Sequence, residues 1–562
     1  MDTEMEREGK YKIHFCENLD SLDILEEKSI YIAQSINSWN DFAIKTHCEF
    51  TFKLSNKDYF EGEILVGIVG SETKQIEKTD SLEKLREQDT GMGNLSTSEL
   101  PLSGKAYQFF TLLPSMEQYR LLIEEVDIDE ANLILESLND LVFLQENDSK
   151  SALFKKAISS KTFAQSFMRN SEPFFAFHNA GSVLEGLEYE QFNTISENLD
   201  LKFQLDGFEC EHNIKLKYAS DGIIPKRINI LIGKNGLGKS QALNHFVRGA
   251  LQQKGYNETL TSEGKRPLIS RVLAIGTPGE TKHTYPEIKA KNAKLNYKRL
   301  LLTRNSASKF GQGIGSSLLM LARYDNKIGK NTRWEIFTNA LSKCFVLDEI
   351  YIPLSNTNND LEESHAAVAM LPDGWGEQKR LRIWASITSN AEPKLKKGEN
   401  FYNLSSGQLS FFKFALLVSL HIENGSFILL DEPETHLHPN LISDFIELLD
   451  SVLEKTGSFA LIATHSAYFV REVPREQVHV FKESNNGLDA IISPRLKTFG
   501  AEVGAISHFV FNEAIENKLS EKIIESAKVR ELSYEHIHRA YKDELSTELL
   551  MEIRRKLEGN ER

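Results

Sequence analysis

The pattern of apolar and polar residues predicts three short buried strands. The nearly continuous apolar runs are 228–232, 427–430 and 459–464, and polar or turn-forming residues follow each of them. Runs of this length and composition are typical of strands that are covered on both faces of a sheet. Residues that carry chemistry stand directly after each run, so the strand ends are where we look for a site.

A helix is predicted after the first strand. The spacing indicates a helix over about 240–253, ended by Gly255, with one apolar face. The residues of that face are Leu243, Phe246, Val247 and Ala250. Strand, glycine-rich turn and amphipathic helix thus follow one another.

The first 200 residues are predicted to hold strands and then helices. Residues 48–54 alternate like a half-buried strand, and residues 63–69 predict a second one. The Gly, Ser and Thr content of 90–104 predicts a loop, and helical apolar spacing predicts a helix over 131–144. This part shows no catalytic constellation.

The turn after the first strand is a complete G-x-x-x-x-G-K-S phosphate loop, residues 233–240. Glycines let successive backbone N–H groups point at a β-phosphate, and the following helix offers its positive end. Lys239 is expected to reach the β- and γ-phosphates of ATP, and the Ser240 hydroxyl to ligate Mg²⁺. The predicted ATP-binding residues of this segment are Gly233, Asn235, Gly236, Gly238, Lys239 and Ser240.

Three further motifs lie downstream. Residues 404–408, Leu-Ser-Ser-Gly-Gln, match the L-S-G-G-Q signature of ABC-type ATPases, with serine in place of the first glycine. The second strand ends in Asp431 and Glu432, a Walker B pair in which Asp431 would hold Mg²⁺ through water and Glu432 would orient the attacking water. The third strand delivers His465, at the position of a switch histidine.

Each of these three motifs has a plain alternative. A Ser-Ser-Gly-Gln turn, a strand that ends in two carboxylates at the solvent, and a hydrogen-bonded histidine are all common. Their order along the chain, however, is that of ABC/SMC-type ATPases, which the sequence therefore resembles. In such enzymes the signature completes the ATP site of a second protomer, so we expect a homodimer or higher oligomer with Ser405, Ser406, Gly407 and Gln408 acting in trans.

The motifs divide the chain into five predicted parts. The fold class is α/β, an ABC/SMC-type P-loop ATPase with a mixed sheet flanked by helices. The parts are a strand-rich and helical N-terminal part (1–200), an ATPase lobe with the phosphate loop (201–275), a compact helical insertion (276–400), a second ATPase lobe (401–490) and a helical C-terminal tail (491–562). Turn-forming clusters interrupt the insertion and no sustained heptads occur in it, which argues against an SMC coiled-coil arm. Gln312 is the candidate for the glutamine that senses Mg²⁺ in ABC sites.

Composition and charge narrow the cellular setting. The first residues are acidic and predict no secretory signal, and no apolar run is long enough to span a bilayer. Cys16, Cys48, Cys210 and Cys344 form no C-x-x-C pair, which predicts neither a disulfide framework nor a zinc site. A cytoplasmic protein without membrane contact is expected.

A net charge of −15 restricts any nucleic-acid contact to a local patch. The segment 282–309 carries eight Lys or Arg residues against one acid, Glu287, with Tyr285 and Tyr297 between them. Phosphate tracking is one interpretation, and a solvated helical face or a surface for an acidic protein partner is the favoured one, because such runs are common. Both interpretations stay open.

A family resemblance adds an expectation about partners. The run 431–439, Asp-Glu-Pro-Glu-Thr-His-Leu-His-Pro, resembles the D-E-P-E-x-x-L-H-P of bacterial ATPases related to the OLD and RecF groups. The segments 38–42 and 136–140 resemble the N-terminal part of the PtuA-type ATPases of Septu anti-phage defence systems, including retron-associated ones. The resemblance implies an ATPase that assembles with a separate HNH nuclease of the PtuB type, with or without a retron reverse transcriptase and its RNA or DNA.

The sequence departs from the OLD pattern in one respect. OLD proteins carry a C-terminal TOPRIM nuclease, and here too few residues follow the switch histidine for one. His436 and His438 beside Glu434 permit a metal interpretation, but residues just after Walker B usually make dimer contacts. A DNA-repair ATPase, the ATPase subunit of a transporter and a nucleotide-sensing scaffold remain as alternative functions.

Overall fold

The computed structural model describes most of the chain. The described residues are 11–16, 18–19, 26–35, 46–54, 59–70, 99–102, 105–184, 196–205, 211–219, 224, 226–276, 284–287, 295–301, 313–324, 327–355, 363–436, 438–482, 490–511, 518–530, 532–545 and 547–557. They form two compact units, residues 1–500 and 501–562. The five-part division stays a prediction.

A six-stranded sheet opens the first unit. Its strands are β1 (Lys12–Cys16), β2 (Ser29–Gln34), β3 (His47–Lys53), β4 (Tyr59–Gly70), β5 (Glu99–Leu102) and β6 (Lys105–Leu112), in the order β1-β2-β3-β4-β6-β5. Only the β1–β2 pair of this sheet is parallel. The strands predicted at 48–54 and 63–69 are confirmed as β3 and part of β4, whereas β5 falls inside the predicted loop 90–104.

Short helices cover this sheet. They span Met116–Val126, Ile128–Ser137, Leu141–Asn147, Ala152–Ile158, Lys161–Gln165, Ser171–Asn179 and Gly181–Leu184. The prediction of a single helix over 131–144 is wrong, because the helix is interrupted at Asn139, which has φ 50°. Asp140 then caps the next helix by accepting from the N–H groups of Val142 and Phe143. Burial raises the pKa of Asp140 to about 7, and the Tyr119 hydroxyl donates to its carboxylate.

The second layer is a seven-stranded sheet in the described part of the chain. Its strands are β9 (Ile228–Gly233), β11 (Arg271–Gly276), β12 (Asn296–Leu301), β19 (Ser426–Asp431), β20 (Phe459–Thr464), β21 (Val478–Lys482) and β22 (Ala490–Ile492), in the order β12-β11-β19-β20-β9-β21-β22. All neighbours are parallel except β21 and β22. The three predicted buried strands are confirmed as β9, β19 and β20, and every residue in them is buried.

The phosphate-loop helix, Lys239–Ala250, lies between two sheets. Its apolar face, with Leu243 and Phe246 fully buried, packs on the seven-stranded sheet, called the central sheet below. The same face packs on a three-stranded antiparallel sheet of order β10-β7-β8. The strands of the latter are β7 (Asn198–Gln204), β8 (Glu211–Lys217) and β10 (Leu260–Thr261). The predicted α/β class, a mixed sheet flanked by helices, is confirmed.

The described part of the predicted insertion, 276–400, is not purely helical. Its helices are Ile314–Arg323, Arg333–Leu341 and Glu377–Ser386. A small hairpin joins β13 (Lys327–Ile328) to β14 (Asn331–Thr332), and a four-stranded antiparallel sheet has the order β16-β15-β17-β18. The strands of that sheet are β15 (Ile350–Pro353), β16 (His365–Ala367), β17 (Lys394–Lys397) and β18 (Asn400–Asn403). The signature helix, Ser406–His421, follows β18 directly.

A buried charge cluster joins three regions of the first unit. Glu423, 4% exposed and just before β19, pairs with Arg120 (2.6 Å) and Arg333 (3.1 Å). Burial alone raises the pKa of Glu423, but the two guanidinium groups hold it below its usual value. Removing one partner of such a buried group leaves an uncompensated charge and costs about 3–5 kcal/mol. The cluster therefore fixes the N-terminal helices and the insertion to the base of the Walker B strand.

In the first unit, the helix Ile442–Thr456 follows β19 and the helix Ala467–Val470 follows β20. The second unit is helical, as predicted. Its helices are Val503–Phe511, Lys518–Val529, Tyr534–Tyr541 and Thr547–Leu557. Ile524, Ala527, Ile537 and Ile553 form its small apolar core.

Candidate functional site

Three strand ends meet at one edge of the central sheet. Strands β19, β20 and β9 are parallel neighbours, in that order. Their last residues are Asp431, Thr464 and Gly233. Because the carboxyl ends of parallel strands face the same side, the phosphate loop, the Walker B pair and His465 come together there.

The phosphate loop needs its glycines for conformation and for space. Gly236 and Gly238 have φ 84° and 89°, in the left-handed region that side chains rarely adopt. A Cβ on Gly233 would lie 2.7 Å from the Phe481 carbonyl oxygen, and one on Gly238 would lie 2.6 Å from Leu205. The loop is thus held close to its own sheet, and Asn235 at its tip is exposed. This glycine-rich turn before a helix N-terminus fits the phosphates of a nucleotide.

Lys239 is buried at the start of the helix, with 5% of its surface exposed. Its Nζ donates to the carbonyl oxygens of Gly233 and Lys234, both at 3.0 Å, and lies 3.3 Å from His465 Nδ1. Burial lowers the pKa of Lys239 to about 8, although three nearby carboxylates act in the opposite direction. The ammonium group therefore sits at the centre of the predicted site.

Asp431 receives a hydroxyl on each carboxylate oxygen. Ser240 Oγ donates to Oδ1 at 3.0 Å, and Thr284 Oγ1 donates to Oδ2 at 2.7 Å. The two residues predicted to hold Mg²⁺, Ser240 and Asp431, are therefore in direct contact. A hydroxyl and a carboxylate are oxygen donors of the kind that Mg²⁺ takes, so this pair fits the cation. Sequence reasoning missed Thr284, which belongs to no motif.

Glu432 and His465 face each other across the strand ends. His465 Nε2 lies 2.7 Å from Glu432 Oε1, and the Glu432 N–H donates to the Ala463 carbonyl at 2.8 Å. Glu432 has φ 47°, a costly conformation for a residue with a side chain. The strain coincides with the residue predicted to orient the attacking water.

Glu434 links the Walker B segment to the switch histidine and was not among the predicted site residues. Its Oε1 accepts from the His465 N–H at 2.6 Å and from Thr464 Oγ1 at 2.7 Å. It thereby fixes the backbone where β20 ends at Thr464 and His465 follows. The only sequence feature that indicates this role is the Asp-Glu-Pro-Glu motif at 431–434.

The signature residues are placed differently. Ser405 caps the signature helix by accepting from the Gln408 N–H at 3.3 Å, while Gln408 Oε1 accepts from the Ser405 N–H at 2.9 Å. Ser405 and Ser406 are exposed, and Gly407 is buried. Their hydrogen bonds stay within the helix start, so their action on a second protomer remains a prediction.

Other residues singled out in the sequence are Gln312, the basic segment 282–309 and the histidines after Walker B. Gln312 and most of the basic residues of 282–309 lie outside the described residues. Of the described ones, Arg299 pairs with Glu287 at 2.5 Å, and Tyr285 is fully buried, so its ring is not available to a base. His438 is exposed, and the described residues contain no group of three His, Cys, Asp or Glu side chains that could hold a metal ion.

We expect nucleotide affinity to depend on pH through Lys239. A bound triphosphate favours the charged form of Lys239, whereas in the protein without nucleotide Lys239 is mostly neutral above pH 8. Affinity for ATP should therefore fall as pH rises through about 8, by up to about tenfold per pH unit, with uptake of a proton on binding. Calorimetry at pH 8.5 in two buffers of different ionisation heat measures this uptake. Lys239→Arg, which stays charged, should show little pH dependence; a flat profile for the parent protein would contradict the prediction.

Comparison with known proteins supports an ATPase domain. Residues 347–471 match a family model described as "AAA domain, putative AbiEii toxin, Type IV TA system". This match covers the signature, Walker B and switch histidine, while the phosphate loop lies outside it. Along nearly its whole length the chain is similar to protein ea59 of Escherichia phage lambda, with 23% identity over 540 residues, 91% of this chain and 92% of that protein.

The chain also shows a weak likeness to two solved SMC heads. The SMC head domain from Thermotoga maritima shares 13% identity with a TM-score of 0.26, over 54% of this chain and 100% of that one. An SMC head bound to the C-terminal winged-helix domain of ScpA gives the same identity and TM-score, over 54% and 98% of the two chains. None of the helices in the described part of the chain is long and apolar enough to span a bilayer. The strand order of the central sheet, the strand-end site and the matching family model together give the chain an α/β fold of the P-loop ATPase type.

Proposed function

We propose that the protein binds and hydrolyses ATP with Mg²⁺ at this site. The observation that carries the proposal is a pair of contact sets at the same strand ends. Lys239 Nζ lies 3.3 Å from His465, which lies 2.7 Å from Glu432, and Ser240 Oγ lies 3.0 Å from Asp431. The phosphate loop and Lys239 bind the phosphates, and Ser240 with Asp431 hold the cation, which neutralises charge that develops on the phosphate oxygens.

Glu432 is the catalytic carboxylate in this proposal. It orients a water for in-line attack on the γ-phosphorus, so that a new phosphorus–oxygen bond forms as the bond to the β–γ bridging oxygen breaks. ADP leaves with the electron pair of that bond, and the water's proton passes to Glu432 or to the phosphate product. His465, 2.7 Å from Glu432, holds this carboxylate in place.

The working unit in this proposal is a dimer. Ser405 and Ser406 are exposed at the start of the signature helix, and the positive end of this helix would face a phosphate of a partner protomer. Two ATP molecules would lie at the seam of an isologous pair. Gln408 supports this helix start through its hydrogen bonds with Ser405, and Gly407 is the third signature residue expected to act in trans.

We further propose that the ATPase is the regulatory subunit of a bacterial anti-phage defence complex and controls a separate HNH nuclease. The support is the D-E-P-E-T-H-L-H-P run at 431–439 and the front segments that resemble PtuA. The phage origin of protein ea59, similar over most of the chain, is in keeping with a role in phage biology. A retron reverse transcriptase with its nucleic acid is a further expected partner.

A pull-down tests this partnership. The tagged chain is expressed with its neighbouring genes, and bound proteins and nucleic acid are identified by mass spectrometry and sequencing; the same chain expressed without those genes is the control. Recovery of an HNH protein supports the proposal. Recovery of membrane subunits favours the ATPase of a transporter, and recovery of chromosomal DNA alone favours a DNA-repair ATPase; either result overturns the defence role.

A further inference from the structure

Thr284 contacts the Walker B carboxylate from outside every recognised motif. Its hydroxyl donates to Asp431 Oδ2 at 2.7 Å, opposite the Ser240 contact on Oδ1. Thr284 is 3% exposed and Asp431 is 7% exposed. A buried hydroxyl at this distance from a buried carboxylate makes a charge-assisted hydrogen bond, which is stronger than a neutral one.

The backbone beside Thr284 is anchored by the central sheet. Tyr285 is fully buried, and its hydroxyl lies 3.5 Å from the Ile275 carbonyl oxygen on β11. The Arg299 guanidinium on β12 donates to the Tyr285 carbonyl at 3.2 Å. Two strands thus hold the segment that presents the Thr284 hydroxyl, so the hydroxyl is a fixed donor.

A fixed donor matters because an aspartate carboxylate rotates easily. The terminal torsion of Asp has a broad and roughly two-fold preference, so either oxygen could face the cation. With Oδ2 held by Thr284, Oδ1 stays on the side of Ser240, the hydroxyl expected to share the cation. Partners of this kind, which orient a group that holds the metal and do not touch the metal themselves, are typically worth about 10- to 100-fold in metal affinity.

We propose that Thr284 is the positioning residue for Asp431 and sets the divalent-cation affinity of the nucleotide site. The inference rests on the proposed ATP–Mg²⁺ function and deepens it. Thr284 takes no part in binding the phosphates themselves, so its loss should weaken cation binding and leave cation-free nucleotide binding unchanged.

The test compares Thr284→Val, which keeps the shape and removes the hydroxyl, with Thr284→Ser, which keeps the hydroxyl. Thr498→Val is the matched control, since Thr498 is also a buried threonine, and its hydroxyl donates to the Val473 carbonyl. Binding of Mn²⁺ in the presence of ATP is followed by electron paramagnetic resonance, and binding of a fluorescent ATP analogue is followed in EDTA. Neither measurement requires hydrolysis.

We expect Thr284→Val to weaken Mn²⁺ binding about 10- to 100-fold, with Thr284→Ser and Thr498→Val close to the parent protein and analogue binding in EDTA unchanged. Unchanged Mn²⁺ affinity in Thr284→Val would overturn the inference. Equal loss of analogue binding in EDTA would also overturn it, because Thr284 would then support the fold of the site. If the parent protein binds neither ATP nor Mn²⁺, the proposed function fails instead, and the two failures are thereby distinct.

Discussion

Glu432→Gln is expected to bind ATP and to hydrolyse it about 10²–10⁴-fold more slowly than the parent protein. The substitution keeps the size of the side chain and its hydrogen bond to His465, which spans 2.7 Å. It removes the negatively charged carboxylate, which orients the attacking water and accepts a proton from it. Phosphate release measures the rate, and retention of nucleotide after desalting measures binding.

In the proposed dimer, hydrolysis separates the two protomers, so the same variant should accumulate an ATP-bound dimer. Light scattering with and without ATP tests this. Glu454→Gln is the control, since Glu454 is an exposed carboxylate on the helix Ile442–Thr456, and we expect parent rates for it. A Glu432→Gln protein that hydrolyses ATP at the parent rate would show that another group is the catalytic carboxylate.

The parts of the site that the sequence predicted are local ones. β9, β19 and β20 are buried throughout, so their apolar runs carry a strong signal. The phosphate loop needs a glycine at each position where the backbone is left-handed or crowded, and the G-x-x-x-x-G-K-S segment 233–240 shows these glycines directly in the sequence. Once the three strands are parallel neighbours, the site at their carboxyl ends follows from topology.

The parts that were missed depend on contacts distant in sequence. Thr284 meets Asp431 across 147 residues of chain, and nothing in the local pattern marks a threonine as its partner. Glu434 meets His465 across 31 residues. Such pairings become visible only when the strand order of the sheet is known.

Helix boundaries and small strands were missed for a different reason. Apolar spacing over 131–144 continues through the break at Asn139, because both helices pack on the same core, while Asp140 acts as a cap. An Asn-Asp pair is a turn and cap signal, and it outweighs periodicity here. In the insertion, the hairpin of β17 and β18 turns at Gly398, with φ 61°, between strands of only four residues.

Lys239→Ala is expected to abolish useful ATP binding. The loss of one partner from a buried, hydrogen-bonded charge pair costs about 2–5 kcal/mol, or roughly 30- to 5,000-fold in affinity. The fold should survive, because burial already disfavours the charged lysine, whose pKa is lowered to about 8.

Thermal melting separates these two effects. A ligand that binds only the native state raises the melting temperature, so ATP with Mg²⁺ should stabilise the parent protein and leave Lys239→Ala unmoved. Lys254→Ala, an exposed lysine beyond the same helix, should respond to ATP like the parent. A Lys239→Ala protein that is still stabilised by ATP would place the nucleotide elsewhere, whereas one that melts far lower than the parent without ligand would show that Lys239 supports the fold through its bonds to Gly233 and Lys234.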